Sequence, residues 1–271
     1  MKRLDPVGSL KYLAARLNPF SNTTWVRHRP SGLRLKVNVR DAVGRQILRY
    51  QGYETDLTDW LLGQLQAAGP SATFVDIGAN LGWYSLRAAY LDNVSTVVSL
   101  EPELGNQQLL RTNIQRNGLG HKIHAIACAA GAAPGLATLH HYKASNEGRH
   151  SLAVDHGMGG GWVCVEALDM LLERLSLADE AIAAIKIDVE GFEPEVLRGA
   201  TQALQRAGVL LIELSPELMQ GGSGDVALMI DAIAAAGFQP KVWDGTGRVP
   251  TLDVLRHADS QITVGFAREA V

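Results

Sequence analysis

Carboxylate side chains follow several short apolar segments of this sequence, where they could hold a polar or cationic ligand. They are Asp76, Glu101, Asp188, Glu190, Glu193 and Glu213. In an open α/β sheet the carboxyl ends of parallel strands face one crevice, and ligands bind there. We therefore expect these side chains to meet at a single, strongly acidic edge of the fold.

The turn at residues 75–82, VDIGANLG, is the most informative of these positions. Gly78 can adopt positive φ and lets a ligand approach the backbone. A dinucleotide site would read G-x-G-x-x-G, but Asn80 stands where the second glycine belongs, and Asp76 would repel a pyrophosphate. A carboxylate there suits an ammonium or sulfonium group. A tight turn capped by Asp76 is the structural alternative.

Glu101 ends the next apolar segment and could accept hydrogen bonds from two ribose hydroxyls. A capped turn alone does not explain why Glu101 accompanies Asp76. A nucleoside with a cationic amino-acid arm explains both, and we predict S-adenosylmethionine as the cofactor. A nicotinamide-dependent oxidoreductase or epimerase is the alternative.

The elements that must position these residues follow from hydrophobic periodicity. Alternating or continuous apolar runs predict strands at residues 33–39, 47–50, 73–77, 96–100, 122–127, 185–189, 209–213, 238–242 and 261–266. Helical patterns fall at residues 56–66, 84–91, 104–117 and 195–208. This alternation predicts a parallel sheet covered on both faces. Residues 136–166 interrupt it, and we expect a hairpin there.

Composition limits the class of protein. The 271 residues include 46% hydrophobic and 20% charged side chains with a net charge of −3, which is typical of a globular domain and disfavours nucleic acid as a partner. Cys128 and Cys164 lie in apolar runs, so we expect two buried thiols and a cytoplasmic protein. No stretch is apolar over the length of a membrane span.

Four segments together resemble the FkbM family of S-adenosylmethionine-dependent methyltransferases. They are VDIGANLGWYS at 75–85, LEPE at 100–103, NIQRNG at 113–118 and IKIDVEGFE at 185–193. The resemblance implies a class I Rossmann-like fold and methyl transfer to a hydroxyl of a sugar, a glycan or a secondary metabolite. The cofactor-binding residues it implies are Asp76, Gly78, Ala79, Asn80, Glu101, Pro102, Ala129 and Asp188.

Deprotonation of a hydroxyl acceptor needs a base or a cationic group nearby. Lys186, Asp188 and Glu190 alternate along one strand and would share a side, so we name them as catalytic candidates. His150, beside the loop at 146–148, is the fourth candidate. We expect no metal, although Asp188, Glu190 and Glu213 could supply oxygen ligands.

We therefore predict an α/β protein with a seven-stranded, doubly wound, class I methyltransferase sheet. Residues 1–70 form an N-terminal cap of helix and β-hairpin, and residues 71–271 form the cofactor-binding domain with the hairpin at 136–166 inserted. The basic, faintly amphipathic N-terminal segment leaves open a peripheral membrane contact beside the preferred capping or partner contact. A homodimer, a nucleic-acid methyltransferase and a non-catalytic scaffold also stay open.

Overall fold

The structure is a computed structural model that describes residues 5–17, 21–142, 150–219, 223–245 and 247–268. Its helices are α1 Pro6–Arg16, α2 Ala42–Tyr50, α3 Thr55–Ala67, α4 Trp83–Ala89, α5 Leu104–Arg116, α6 Leu168–Arg174, α7 Glu193–Arg198, α8 Thr201–Arg206, α9 Ser223–Ala235 and α10 Leu252–Arg256. Its strands are β1 Thr23–Arg27, β2 Arg34–Asn38, β3 Ala72–Ile77, β4 Val94–Leu100, β5 Ile123–Ile126, β6 Ala129–Ala130, β7 Gly135–His140, β8 Gly160–Glu166, β9 Ile182–Ile187, β10 Ala207–Leu214, β11 Phe238–Trp243 and β12 Ile262–Arg268.

A seven-stranded sheet forms the centre of the molecule, in the order β11-β12-β10-β9-β3-β4-β5. Its central strands pair in parallel and are almost wholly buried, which explains their near-continuous apolar sequences. The predicted seven-stranded fold is confirmed, with one difference of direction. Strand β12 lies antiparallel to both β10 and β11, so the sheet is mixed.

The N-terminal part contains a hairpin, but not the one predicted. Strand β2 pairs with the preceding strand β1, and residues 47–50 belong to α2. The physical reason is a helix cap, because Asp41 Oδ2 accepts hydrogen bonds from the backbone N–H groups of Val43 and Gly44, at 2.9 and 3.3 Å. The spacing of Val43 and Ile47 then buries one face of a helix.

Two asparagine side chains, one in α5 and one directly after it, hold the outer edge of β2. Asn113 accepts from the Lys36 N–H at 2.6 Å and donates to the Lys36 carbonyl at 3.1 Å. Asn117 makes the same pair of bonds with Arg34, at 2.9 and 2.8 Å. Asn113 also donates to the Leu81 carbonyl at 2.9 Å. These side chains supply the hydrogen bonds that another strand would have supplied.

The predicted helix at residues 195–208 is two helices, α7 and α8, with a break at Gly199. A Cβ at Gly199 would lie 2.0 Å from the Gly131 carbonyl oxygen. This close approach of two backbones requires glycine at the break between the two helices.

The predicted hairpin at 136–166 is present, since β7 and β8 pair antiparallel and form a small sheet with β6. Cys128 is buried as expected, but the expectation for Cys164 is wrong, since that thiol is exposed. The alternation of β8 turns Val165 inward and Cys164 outward. The loop at 146–148 lies outside the described residues.

Apolar side chains pack against both faces of the sheet, as expected of a doubly wound fold. Residues of the N-terminal cap, among them Leu35, Ile47 and Leu61, share a core with Phe74 of β3 and Leu86 of α4. Within the described ranges, every helix falls short of the length and apolar character needed to cross a membrane.

Candidate active site

A cavity of about 400 Å³ opens at the carboxyl ends of β3, β4, β9 and β10. We call it the switch-point cavity, because the strand order reverses between β3 and β9. Its volume lies in the range of small-molecule sites. The residues that line it and that the sequence singled out are Gly78, Ala79, Asn80, Glu101, Pro102, Ala129, His150, Lys186, Asp188, Glu190 and Glu213.

The turn after β3 forms one wall of the cavity. Gly78 has φ 75°, and the N–H groups of Gly78 and Ala79 both donate to the Leu100 carbonyl, at 3.0 and 2.9 Å. A Cβ at Gly78 would lie 1.8 Å from the Asp188 carbonyl oxygen. Glycine is therefore required for the close packing of this turn between β4 and β9.

Glu101, at the end of β4, is held by two backbone groups. Its Oε2 accepts from the Asn80 N–H at 2.7 Å, and its Oε1 accepts from the Glu103 N–H at 2.9 Å. Burial raises the pKa of Glu101 to about 7, against the opposing effect of these two bonds. Each oxygen keeps a further lone pair, so the carboxylate can accept two hydroxyl groups from a ligand in the cavity.

Asp76 occupies a different environment from the one expected. It is fully buried beneath the turn, and it is absent from the described residues that line the switch-point cavity. Its Oδ2 accepts from Ser85 Oγ at 2.5 Å, and its Oδ1 lies 3.7 Å from Lys186 Nζ. Burial raises the pKa of Asp76, although Lys186 opposes that shift. Its role as a direct cofactor ligand stays a prediction.

Lys186 joins the turn to the acidic residues. Its Nζ donates to the Gly78 carbonyl at 2.8 Å and lies 3.1 Å from Asp188 Oδ2. Burial disfavours the ammonium, but attraction to Asp188, Asp76 and Glu54 outweighs burial and raises the pKa of Lys186. The side chain is therefore a fixed cation.

Three carboxylates gather beyond this lysine. Asp188, Glu190 and Glu213 have oxygens within 4.8 Å of one another, and Ser215 Oγ donates to Glu213 at 3.1 Å. Burial, and then repulsion from Asp188 and Glu190, raises the pKa of Glu213 well above its usual value. The same oxygens are of a kind that binds a divalent cation. The expectation of no metal therefore stays a prediction.

His150 lies on the cavity wall, with its Nδ1 accepting a hydrogen bond from the Tyr142 N–H at 2.9 Å. Burial lowers the pKa of His150, so the ring is neutral near pH 7. Because Nδ1 is an acceptor, the neutral ring carries its proton on Nε2. This tautomer can donate a hydrogen bond to a ligand, whereas a base would need the opposite arrangement.

Glu54 was not among the predicted site residues, and the structure adds it to the site. It stands just before α3 with φ 43°, and its Oε2 accepts from Tyr84 Oη at 2.7 Å. Burial, and then repulsion from Asp188, raises the pKa of Glu54. Asp244, after β11, also lines the cavity and was missed. Both come from segments whose position depends on tertiary packing.

The sheet order, the glycine turn after β3 and the acidic residue after β4 together define a class I, Rossmann-like methyltransferase fold. Residues 76–240 match the model of the methyltransferase FkbM domain. That match covers more than half of the chain, which therefore belongs to the FkbM methyltransferase family. The predicted family is confirmed. No curated protein matches the chain.

Solved structures of methyltransferases are among those that match this chain. A methyltransferase FkbM from Methylobacillus flagellatus KT is 22% identical, with a TM-score of 0.44, over 72% of this chain and 43% of that chain. This chain thus spans less than half the length of that relative. A SAM-dependent methyltransferase from Agrobacterium tumefaciens is 9% identical, with a TM-score of 0.49, over 93% and 72%. TYW2 from M. jannaschii, in complex with AdoMet, is 10% identical, with a TM-score of 0.43, over 93% and 89%.

Proposed function

We propose that the chain is an S-adenosylmethionine-dependent O-methyltransferase whose acceptor is a hydroxyl group of a sugar, a glycan or a secondary metabolite. The observation that carries the proposal is the Glu101 carboxylate, which the Asn80 and Glu103 N–H groups aim at the switch-point cavity. A ribose would hydrogen bond to it. The turn at Gly78 leaves backbone exposed to the same cavity.

The residues present fit this cofactor. Near the ribose position, Pro102 and Ala129 offer apolar contact for an adenine ring. On the other side of the turn, Asp188 and Glu190 supply negative charge for the cationic amino-acid arm. S-adenosylmethionine, when bound, supplies an electrophilic methyl group on a sulfonium. Asp76 supports the site indirectly, because it holds Lys186 and, through Ser85, the start of α4.

The same cluster of carboxylates can also accept the proton of the acceptor hydroxyl. Asp188 forms an ion pair with Lys186, at 3.1 Å. Glu190 and Glu213 lie next to Asp188, and oxygens of the three side chains lie within 4.8 Å of one another, so a proton taken up by one of them can be shared by the cluster. We therefore assign proton acceptance to this cluster, and we assign His150 the role of a hydrogen-bond donor to the acceptor.

Acidic side chains also disfavour the alternatives. A nicotinamide dinucleotide would bring a pyrophosphate towards Glu54, Asp188, Glu190 and Glu213, and a nucleic acid would bring phosphates to the same edge. Lys186 is already engaged by Gly78 and Asp188, so it offers those phosphates little compensation. The charge of the cavity therefore supports a cationic cofactor and an uncharged or cationic acceptor.

Calorimetric titration with S-adenosylmethionine, S-adenosylhomocysteine and NAD⁺ tests the cofactor. We expect both adenosyl compounds to bind and NAD⁺ not to bind. Binding of NAD⁺ alone would refute the proposal. An acceptor screen with radiolabelled methyl donor then tests the reaction. With the acceptor found, Asp188→Asn and Glu190→Gln should lower kcat more than they weaken cofactor binding. Unchanged kcat in both variants would remove these two residues from the chemistry.

A further inference from the structure

The first helix turns its apolar face away from the protein. Four side chains of α1 and its carboxyl end are exposed: Val7 by 54%, Leu10 by 71%, Leu13 by 56% and Leu17 by 81%. At 100° per residue they fall within a sector of about 120°. An amphipathic helix on a globular protein normally directs such a sector at the core. In α1 the opposite sector, which contains Gly8 and Tyr12, packs against the protein instead.

The packed side of α1 is fixed by close contacts with α2. Gly8 and Tyr12 are buried, and a Cβ at Gly8 would lie 1.9 Å from the Leu48 carbonyl oxygen. The Asp5 N–H donates to the Arg49 carbonyl at 2.7 Å. Because glycine is required for this approach, the helix cannot rotate its leucines inward without losing the contact.

Charge is distributed unevenly between this region and the rest of the chain. Residues 1–51 contain eleven Lys and Arg against two Asp, although the whole chain has a net charge of −3. On α1 itself, Lys11 and Arg16 are exposed and flank the apolar sector on its two sides. The apolar face therefore has a basic border.

A hollow of about 470 Å³ lies beside α1 and extends the basic border. Its lining includes Lys11, Arg27 and Arg29, together with Asp5. Asp5 is paired with Arg29 at 2.9 Å. Lys11 and Arg27 are exposed, and neither has a carboxylate partner among the described residues. Two cations in this hollow are thus available to an anion.

We propose that α1 and this hollow form a docking surface for a bilayer that contains anionic lipid. Leu10, Leu13 and Leu17 enter the boundary between headgroups and acyl chains, while Lys11 and Arg27 contact lipid phosphates. A second copy of the chain fits less well, because a symmetric contact would bring two basic borders together. Nucleic acid would leave the leucines exposed. This surface is separate from the switch-point cavity. It would place the proposed methyltransferase at a membrane.

Flotation of the full chain with vesicles tests this proposal. We expect binding to phosphatidylcholine vesicles that contain phosphatidylglycerol, little binding to phosphatidylcholine alone, and release by high salt. The double variant Leu10→Asp/Leu17→Asp should weaken binding by about tenfold or more. The double variant Lys11→Glu/Arg27→Glu should weaken binding to the anionic vesicles and leave the weak binding to pure phosphatidylcholine vesicles unchanged. The matched control is Leu228→Asp, since Leu228 is 66% exposed on α9 and should not matter.

Several outcomes would overturn the docking surface. One is absence of flotation with anionic vesicles, and another is flotation that the leucine variants leave unchanged. A dimer in light scattering that Leu10→Asp/Leu17→Asp dissolves, without vesicle binding by the parent chain, would assign the face to self-association. Binding to an RNA oligonucleotide without dependence on the leucines would assign it to nucleic acid. Titration with S-adenosylmethionine should be unchanged in every variant, which separates this result from failure of the proposed function.

Discussion

The Glu101 carboxyl is deeply buried and accepts hydrogen bonds from two backbone N–H groups. Burial raises its pKa, whereas the two hydrogen bonds lower it. It is 5% exposed, and burial raises its pKa to about 7 despite hydrogen bonds from Asn80 and Glu103. A ligand hydroxyl that donates to this group stabilises the ionised form further. Binding of the ligand must therefore be linked to loss of a proton near neutral pH.

We predict that affinity for S-adenosylmethionine increases by about tenfold between pH 6 and pH 8. The free chain is largely protonated at Glu101 at the lower pH, and binding then includes the cost of removing that proton. Calorimetry across this range measures the effect. The variant Glu101→Gln should bind more weakly and lose the pH dependence. A parent chain with flat affinity from pH 6 to pH 8 would contradict the assignment.

At the scale of elements, Asn113 and Asn117 explain one of the segments on which the family resemblance was based. The segment NIQRNG at 113–118 has a structural role and not a catalytic one, because its two asparagines hydrogen bond to the edge of β2. Asn113 is fully buried and also holds the Leu81 carbonyl, directly after Asn80 of the cavity wall. The segment therefore connects the N-terminal cap to the glycine turn.

We expect Asn113→Ala to destabilise the protein by about 3 kcal/mol, since it leaves buried backbone groups of Lys36 and Leu81 without partners. Asn117→Ala, at a more exposed site, should cost about 1 kcal/mol or less. Denaturant unfolding measures both. Equal losses for the two variants would show that the Leu81 contact contributes nothing beyond the strand edge.

Considered as a whole molecule, the protein buries several carboxyl groups without full compensation. Burial raises the pKa of Glu193 to about 8, and it also raises the values for Glu101 and Glu213. In the unfolded chain such groups ionise near pH 4.5. From there up to the folded-state pKa the folded protein binds more protons, so its stability falls as pH rises. His28, with a pKa lowered to about 4, opposes this trend only up to about pH 6.5.

The free energy of unfolding should accordingly decrease between pH 6.5 and pH 8, by about 2 kcal/mol from Glu193 and by about 1 kcal/mol from Glu101. Glu193 is fully buried, so Glu193→Gln should reduce the slope. The exposed Glu180→Gln is the matched control and should leave the slope unchanged. Unfolding curves recorded at pH 6.5 and pH 8 provide the comparison. Stability that rises over this interval in the parent chain would contradict the raised pKa values.

Local pattern was sufficient for the sheet strands and for the turn at Gly78. Burial on both faces requires near-continuous apolar runs such as residues 73–77 and 182–187, and a residue that must adopt φ 75° against another backbone favours glycine. Both constraints act within a few residues, so the local sequence is enough to predict them. The predicted strand at 185–189 is shifted, because β9 ends at Ile187, and Asp188 and Glu190 lie in the turn beyond it rather than alternating along the strand with Lys186. The predicted strand at 47–50 was wrong because the Asp41 cap and a short helical period outweigh a brief apolar run.

Distances between side chains of separate elements were decided by the tertiary structure alone. It buries Asp76 beneath the turn, brings Glu54 from the cap to the cavity, and gathers Glu213 with Asp188 and Glu190. It also packs Gly8 against Leu48, which leaves the leucines of α1 facing outward. Periodicity fixes which side of an element is apolar, whereas the partner of that side depends on how all the elements pack together.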